Sequence, residues 1–222
     1  MAGTDTVHFV LGILSIILID LLLAGDNALV IAMAVRALPK PQRRKATLWG
    51  AGFAVALRVG LTFVASMLLK QAYVQLVGGA LILWIAVKVL RDASDPPDAA
   101  PSAHRLAQAI RYIVVADVTM SLDNILAIAG ASKGSFGLIL FGLAVSIPFV
   151  VVSSNLLADL MDRFPWTVFL GAAVLGQVAG RMMLTDPFIL RTLNPGDELR
   201  YAVQAALAAA LFIAGWLMGR KK

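Results

Sequence analysis

Two segments of the sequence repeat one pattern of aspartate and asparagine residues. The first reads Asp20-Leu-Leu-Leu-Ala-Gly-Asp26-Asn27-Ala-Leu-Val-Ile-Ala32, and the second reads Asp117-Val-Thr-Met-Ser-Leu-Asp123-Asn124-Ile-Leu-Ala-Ile-Ala129. Each copy therefore offers two carboxylates and one amide within a short stretch of chain. Oxygen ligands of this kind suit hard cations such as Mg²⁺, Ca²⁺ and Mn²⁺, whereas copper and zinc favour imidazole or thiolate ligands.

Nitrogen and sulfur ligands are scarce in this chain. It has no cysteine, and its two histidines, His8 and His104, lie outside the long apolar blocks. The thioether of Met120, inside the second copy, would shift preference from Mg²⁺ or Ca²⁺ toward Mn²⁺, although a methionine in such a place also serves as packing. The predicted metal ligands are Asp20, Asp26, Asn27, Asp117, Asp123 and Asn124, with Met120 as an additional ligand and Arg58 for charge compensation.

Helix geometry limits how these side chains converge. On an ideal helix a separation of seven residues returns to nearly the same face, so Asp117 and Asn124 can point together. Asp123 then lies about 120 degrees away, and the first copy behaves in the same way. Full convergence requires local unwinding near Gly25 or Ser121. The competing interpretation is that these polar groups only join helices by hydrogen bonds.

The composition places these residues in a membrane. Of the 222 residues 60% are apolar and 14% are charged, and the apolar residues form blocks long enough to cross a bilayer. A charge at that depth costs about 2.5 to 3.5 kcal/mol, so the buried aspartates need a compensating cation, for which Arg58 is available. Seven spans are predicted, at about residues 9–35, 48–69, 73–90, 112–131, 136–157, 166–184 and 199–218.

The arrangement of these spans predicts an all-α membrane protein with an inverted 3+3 repeat and a seventh helix. Since each half has three spans, the second half must enter the membrane from the opposite side. A single domain covers residues 1–222, with repeat one at about 9–90, a linker at about 91–105 that is rich in Pro, Asp and Ala, repeat two at about 106–184 and the seventh helix at about 199–219.

Basic residues flank the spans, so the net charge of +6 does not indicate a nucleic-acid partner. By the positive-inside rule they predict an outside N-terminus and a cytoplasmic C-terminus. The cytoplasmic set is Arg36, Lys40, Arg43, Arg44, Lys45, Lys88, Arg91, Arg105, Arg220, Lys221 and Lys222, and the thinner outer set is Lys70, Lys133, Arg181, Arg191 and Arg200.

Two features concern packing between helices. Gly176 and Gly180 form a small-xxx-small pair that favours close approach of another helix. Asn155 is predicted to form a hydrogen bond to a neighbouring helix.

The duplicated motif resembles that of the TerC family of bacterial integral membrane proteins, and the resemblance covers essentially the whole chain. It is greatest to the short members that lack appended soluble domains. The resemblance implies a seven-helix membrane fold, a role in metal-ion homeostasis and, for several members, manganese efflux. The family's motif acids correspond to Asp20, Asp26, Asp117 and Asp123, its asparagines to Asn27 and Asn124, and its second-helix basic residue to Arg58.

Export of Mn²⁺ across the bacterial inner membrane, driven by protons, is therefore the leading hypothesis, with Ca²⁺ or Mg²⁺ as other cargoes. Direct oxyanion transport is disfavoured because four aspartates repel an anion. An intramembrane aspartyl protease is disfavoured because Leu23 stands where a Gly-x-Gly-Asp motif needs glycine. A membrane assembly or resistance factor stays open. No enzymatic activity and no cofactor are expected; the partners are the metal ion, the lipid bilayer and a second copy in a homo-oligomer.

Overall fold

The computed structural model describes the backbone of residues 25–68, 71–94, 102–131 and 136–219. Side chains are described over residues 25–57, 59–61, 71–92, 104–121 and 148–219. Asp20 lies outside the described residues, as do the side chains of Arg58, Asp123 and Asn124. The structure therefore tests the predicted site at Asp26, Asn27, Asp117 and Met120.

The described chain consists of helices joined by short connections, and it contains no strand, which confirms the all-α class. The helices are α1 (residues 25–36), α2 (Lys40–Leu68), α3 (Val74–Ser94), α4 (Ser102–Ala131), α5 (Phe136–Arg163), α6 (Thr167–Thr185), α7 (Pro187–Thr192) and α8 (Asp197–Gly219).

Within these ranges, three helical segments are long and apolar enough to cross a membrane: Val74–Asp92, Thr167–Thr185 and Asp197–Gly219. They contain 19, 19 and 23 residues, which meets the requirement of about 20 residues for a crossing. The predicted count of seven crossings and the inverted repeat stay predictions.

Several helices extend beyond the predicted spans. α2 begins at Lys40, so Arg43, Arg44 and Lys45 lie in its first turns and not in a loop. α5 continues to Arg163, and Asp159 and Asp162 in its last turns pair with Arg43. α3 runs to Ser94 and α4 starts at Ser102, which shortens the predicted linker from both ends.

α7 was not predicted. Its six residues follow Asp186, whose side chain accepts a hydrogen bond from the backbone N–H of Phe188, and Pro187 occupies the first turn. An aspartate N-cap followed by proline is a common start of a helix. The sequence thus carried the signal, but a helix this short leaves no apolar periodicity to detect.

α6 is the centre of the packing, with α3 on one side and α8 on another. A Cβ on Gly176 would lie 2.7 Å from the backbone O of Leu207 in α8, and one on Gly180 would lie 3.2 Å from Cα of Gln204. The predicted close contact at this glycine pair is confirmed, with α8 as the partner. The prediction for Asn155 is wrong, because its Nδ2 donates to the carbonyl O of Val151 one turn earlier in α5.

Candidate metal site

The first-copy residues Asp26 and Asn27 lie at the beginning of α1 as described. Asn27 is only 3% exposed, and Asp26 is half-buried. No donor in the described chain reaches the buried Oδ1 of Asn27. A buried oxygen without a donor costs about 1 to 3 kcal/mol, and a cation is one group that removes this cost.

The second copy lies on α4. Asp117 is 8% exposed, and its Oδ2 accepts a hydrogen bond from the hydroxyl of Ser121, with 3.1 Å between the two oxygens. Met120 is also buried, three residues after Asp117 and about 60 degrees away around the helix. A carboxylate oxygen and a thioether therefore lie on adjoining parts of one buried surface.

Neighbouring helices hold α4 and α1 in place. A Cβ on Gly78 of α3 would lie 2.8 Å from Cγ2 of Thr119, so α3 approaches α4 beside Asp117. A Cβ on Gly171 of α6 would lie 2.8 Å from Sδ of Met33, so α6 approaches α1 two turns beyond Asp26. α3 thus packs closely against α4 beside Asp117, and α6 packs closely against α1.

α4 is a continuous helix from Ser102 to Ala131, so the unwinding that full convergence would require does not occur near Ser121. The hydroxyl of Ser121 bonds to the carboxylate one turn earlier, as a regular helix allows. Positions 117 and 123 consequently lie about 120 degrees apart on α4. Gly25 is helical as well, and residues 1–24 lie outside the described ranges.

Sequence reasoning missed a cation that acts on Asp26. The guanidinium of Arg181 in α6 attracts the Asp26 carboxylate electrostatically. Arg181 was assigned to an outer connection, although it lies inside the predicted sixth span and inside Thr167–Thr185. The position of Arg181 within a predicted span could have identified it as a partner of a buried acid, which is the reasoning that identified Arg58.

The described side chains do not by themselves form a complete metal site. Among them, no three histidine, cysteine, aspartate or glutamate residues are grouped closely enough to hold a metal ion. The predicted ligands Asp20, Asp123 and Asn124 fall outside this group of side chains. The described part contributes Asp26, Asn27, Asp117 and Met120, all at least half-buried.

A network of charges lies where α1 ends and α2 begins. The guanidinium of Arg43 donates to the carbonyl O of Leu38 and of Arg36, at 2.9 and 2.8 Å, and pairs with Asp162 of α5. Arg36 also pairs with Asp162, at 3.4 Å. Arg43 thus joins the end of α1 to the end of α5.

Asp186 forms a second network at the opposite end of α6. Its carboxylate accepts hydrogen bonds from the backbone N–H groups of Tyr73, Gln75 and Leu76, at 3.0 to 3.1 Å, in addition to Phe188. Burial raises the pKa of Asp186, but these four hydrogen bonds together outweigh it and hold the pKa below its ordinary value.

Comparison with known proteins places the chain in a family. Residues 5–222 match the model described as Integral membrane protein TerC family. The chain is 41% identical over 178 residues to the uncharacterized membrane protein YjbE of Bacillus subtilis, covering 80% of this chain and 81% of that one.

More distant relatives are longer proteins. The uncharacterized membrane protein YkoY of B. subtilis is 26% identical, with 73% of this chain and 56% of that protein covered. The inner membrane protein YoaE of Escherichia coli is 24% identical, with 72% and 34% covered. No solved structure matches the chain. With the family model matching nearly all of its length, this integral membrane protein belongs to the TerC family.

Proposed function

We propose that this protein moves a divalent metal ion, Mn²⁺ by preference, out of the cell across the bacterial inner membrane, with its N-terminus outside and its C-terminus in the cytoplasm. The observation that carries the proposal is a set of buried oxygen groups on two helices. Asp117 is buried on α4, and the Oδ1 of buried Asn27 on α1 has no donor among the described residues. Such oxygens are the ligands that hard divalent cations bind.

The preference for manganese is argued from the donor set. Carboxylate and amide oxygens accept Mg²⁺, Ca²⁺ and Mn²⁺ alike. Met120 adds a softer sulfur atom on the same buried surface as Asp117, and among these three ions Mn²⁺ tolerates a softer ligand best.

The charge of the site supports cation transport over anion transport. Asp117 is buried and Asp26 is half-buried, and Arg181 acts on Asp26. The remaining motif acids, Asp20 and Asp123, add two further carboxylates in the sequence. An oxyanion would meet net repulsion at such a site.

Export requires a source of work. Moving one charge across a potential of 100 mV costs about 2.3 kcal/mol, so expelling a divalent cation from a negative interior costs about twice that. The sequence has no Gly-x-x-x-x-Gly-Lys nucleotide-binding motif, which favours an ion gradient over ATP. The proposed source of work is the inward movement of protons, with sodium ions as the alternative.

Metal binding by the purified protein tests the proposal most directly. Equilibrium dialysis against Mn²⁺, Ca²⁺ and Mg²⁺ gives the stoichiometry and the preference for each ion. We expect saturable Mn²⁺ binding that Asp117→Asn abolishes and that Asp197→Asn leaves intact, because Asp197 is an exposed acid at the start of α8. Equal binding by both variants would exclude Asp117 as a ligand. Absence of binding by the wild-type protein would favour a membrane assembly or resistance factor.

A further inference from the structure

Two neighbouring arginines in the first turns of α2 lie in different environments. Arg43 points inward and is 11% exposed, held by two backbone carbonyls and Asp162. Arg44 and Lys45 are exposed, as is Lys40 at the start of the helix. Within the part of the chain that the structure describes, none of these three exposed cations has an acidic partner.

The nearby acidic side chains already form ion pairs with other cations. Asp162 pairs with Arg36 and Arg43, and Asp159 lies 3.7 Å from Arg43. This leaves the positive charge of Lys40, Arg44 and Lys45 uncompensated at one edge of the helix. An anionic group from beyond the described residues would therefore be attracted to this edge of α2.

One turn further along α2, the same face becomes apolar and aromatic. Leu48 follows Arg44 by four residues and Trp49 follows Lys45 by four, so each pair is aligned along the helix surface. Leu48 is 49% exposed and Trp49 is 61% exposed, and Trp49 stacks on Phe53 with 5.9 Å between the ring centroids. The opposite face is buried against α4, where a Cβ on Gly50 would lie 2.8 Å from Ile113.

We propose that this face, made of Lys40, Arg44, Lys45, Leu48 and Trp49, is a binding site for an anionic phospholipid. The phosphate lies between the three cations, and the acyl chains lie along Leu48 and Trp49. Tryptophan favours the depth where headgroup meets hydrocarbon, and the rise of about 1.5 Å per residue places Trp49 about 6 Å from Lys45. The charge selects an anionic headgroup, and the apolar turn selects a lipid over a soluble phosphate. This site does not depend on the proposed metal transport.

Quenching of Trp49 fluorescence by brominated lipids measures the binding at this face. The reporter is the full-length protein with Trp84→Phe, Trp166→Phe and Trp216→Phe, which leaves Trp49 as the only tryptophan of the four. It is reconstituted in phosphatidylcholine vesicles containing either brominated phosphatidylglycerol or brominated phosphatidylcholine. The ratio of the two binding constants reports the preference for the anionic lipid.

We expect a preference for phosphatidylglycerol of about fivefold or more, since one cation near an anionic surface contributes about 1 kcal/mol. Arg44→Gln with Lys45→Gln should bring the ratio close to one. The matched control, Arg191→Gln with Arg200→Gln, removes the same charge near α7 and α8 and should leave the ratio unchanged. Salt should weaken the preference, because exposed charges are screened.

Four results would overturn the proposal. The first is a wild-type ratio of one. The second is an equal fall in the control variant, which would assign the preference to net charge and not to this face. The third is loss of the preference on adding millimolar inorganic phosphate, which would assign the cations to a soluble anion. Failure of both brominated lipids to quench Trp49 would likewise contradict it, because the face would then be covered by protein, such as a second copy of the chain.

Discussion

The carboxylate of Asp186 accepts a hydrogen bond from the backbone N–H of Tyr73, a residue 113 positions earlier in the sequence. Tyr73 has a φ of 73°, in the left-handed region that a bulky side chain adopts at a cost of about 1 to 3 kcal/mol. The same carboxylate accepts from the next free N–H groups at the start of α3. One side chain thus caps α7 locally, caps α3 from a distance and bonds to the strained residue that directly precedes α3.

Replacing Asp186 should therefore destabilise the protein. Asp186→Asn keeps the shape but loses the charge that strengthens four hydrogen bonds, and it places an amide N–H₂ against backbone donors. We expect a loss of about 2 to 3 kcal/mol at pH 7, measured by thermal unfolding in detergent.

The pH dependence follows from the lowered pKa of Asp186. The stabilisation is fully present above the unfolded-state pKa of about 3.9 and is lost as the pH falls through the lower folded-state value. The stability difference between wild type and Asp186→Asn should therefore shrink in strong acid. A difference that stays constant to the lowest accessible pH would contradict this assignment.

The contact between α6 and α8 predicts the effect of a single methyl group. Gly176→Ala should lower stability by about 1 to 3 kcal/mol, because the new Cβ would lie 2.7 Å from a backbone oxygen that cannot move alone. Gly52→Ala in α2 is the matched control, since no atom lies within 4 Å of its Cβ position. That control should be neutral or stabilising by up to about 1 kcal/mol, because alanine favours helix. Equal midpoints of thermal unfolding for the two variants would show that α8 can shift to accommodate the methyl group.

Arg43 and Arg44 should differ in stability effect despite being adjacent. Arg43→Gln removes an ion pair with Asp162 and two bonds to the carbonyls of Leu38 and Arg36, so we expect a loss of about 2 kcal/mol or more. Arg44→Gln should change stability by less than about 0.5 kcal/mol in a zwitterionic detergent without anionic lipid. Thermal unfolding of the two variants side by side makes the comparison.

The orientation can be tested because the chain has no background thiols. Ser94→Cys, at the end of α3, should react with a membrane-impermeant thiol reagent only after the cells are opened. Gly196→Cys, between α7 and α8 and with open space around its Cβ position, should react in intact cells. The reverse labelling pattern would invert the proposed topology.

Coupling to protons predicts opposed fluxes. In proteoliposomes, an imposed proton gradient should drive Mn²⁺ in the direction opposite to the protons, and Asp117→Asn should abolish the flux. Metal movement that is indifferent to both proton and sodium gradients would indicate a channel.

Local patterns in the sequence were sufficient for several parts of the fold. The helical class follows from block length and apolarity, and the contact at Gly176 and Gly180 follows from their spacing. The prediction for Asn155 was wrong because an amide in a helix can bond to its own preceding turn, and sequence does not distinguish this from a bond to a neighbour.

Sequence periodicity cannot identify pairs of side chains that interact across long separations in the chain. Arg43 and Asp162 are 119 residues apart, and Asp186 and Tyr73 are 113 apart, so no local pattern connects them. Arg181 acts electrostatically on Asp26 only because α6 lies against α1, and sequence periodicity does not show that contact. Asp117 and Asn27 were predicted to be buried, and they are, because polar residues in an apolar block have few ways to reach water.

The order in which the helices pack has a mechanical consequence. α2 lies against α4, and α3 lies against α6, so helices of the first half pack directly against helices of the second half. A chain cut between α3 and α4 would separate these pairs, and each fragment would lose the close van der Waals packing that holds helices together in a membrane. A relative movement of the halves that keeps these contacts would be a shear, in which packed helices slide by small distances along the faces they share.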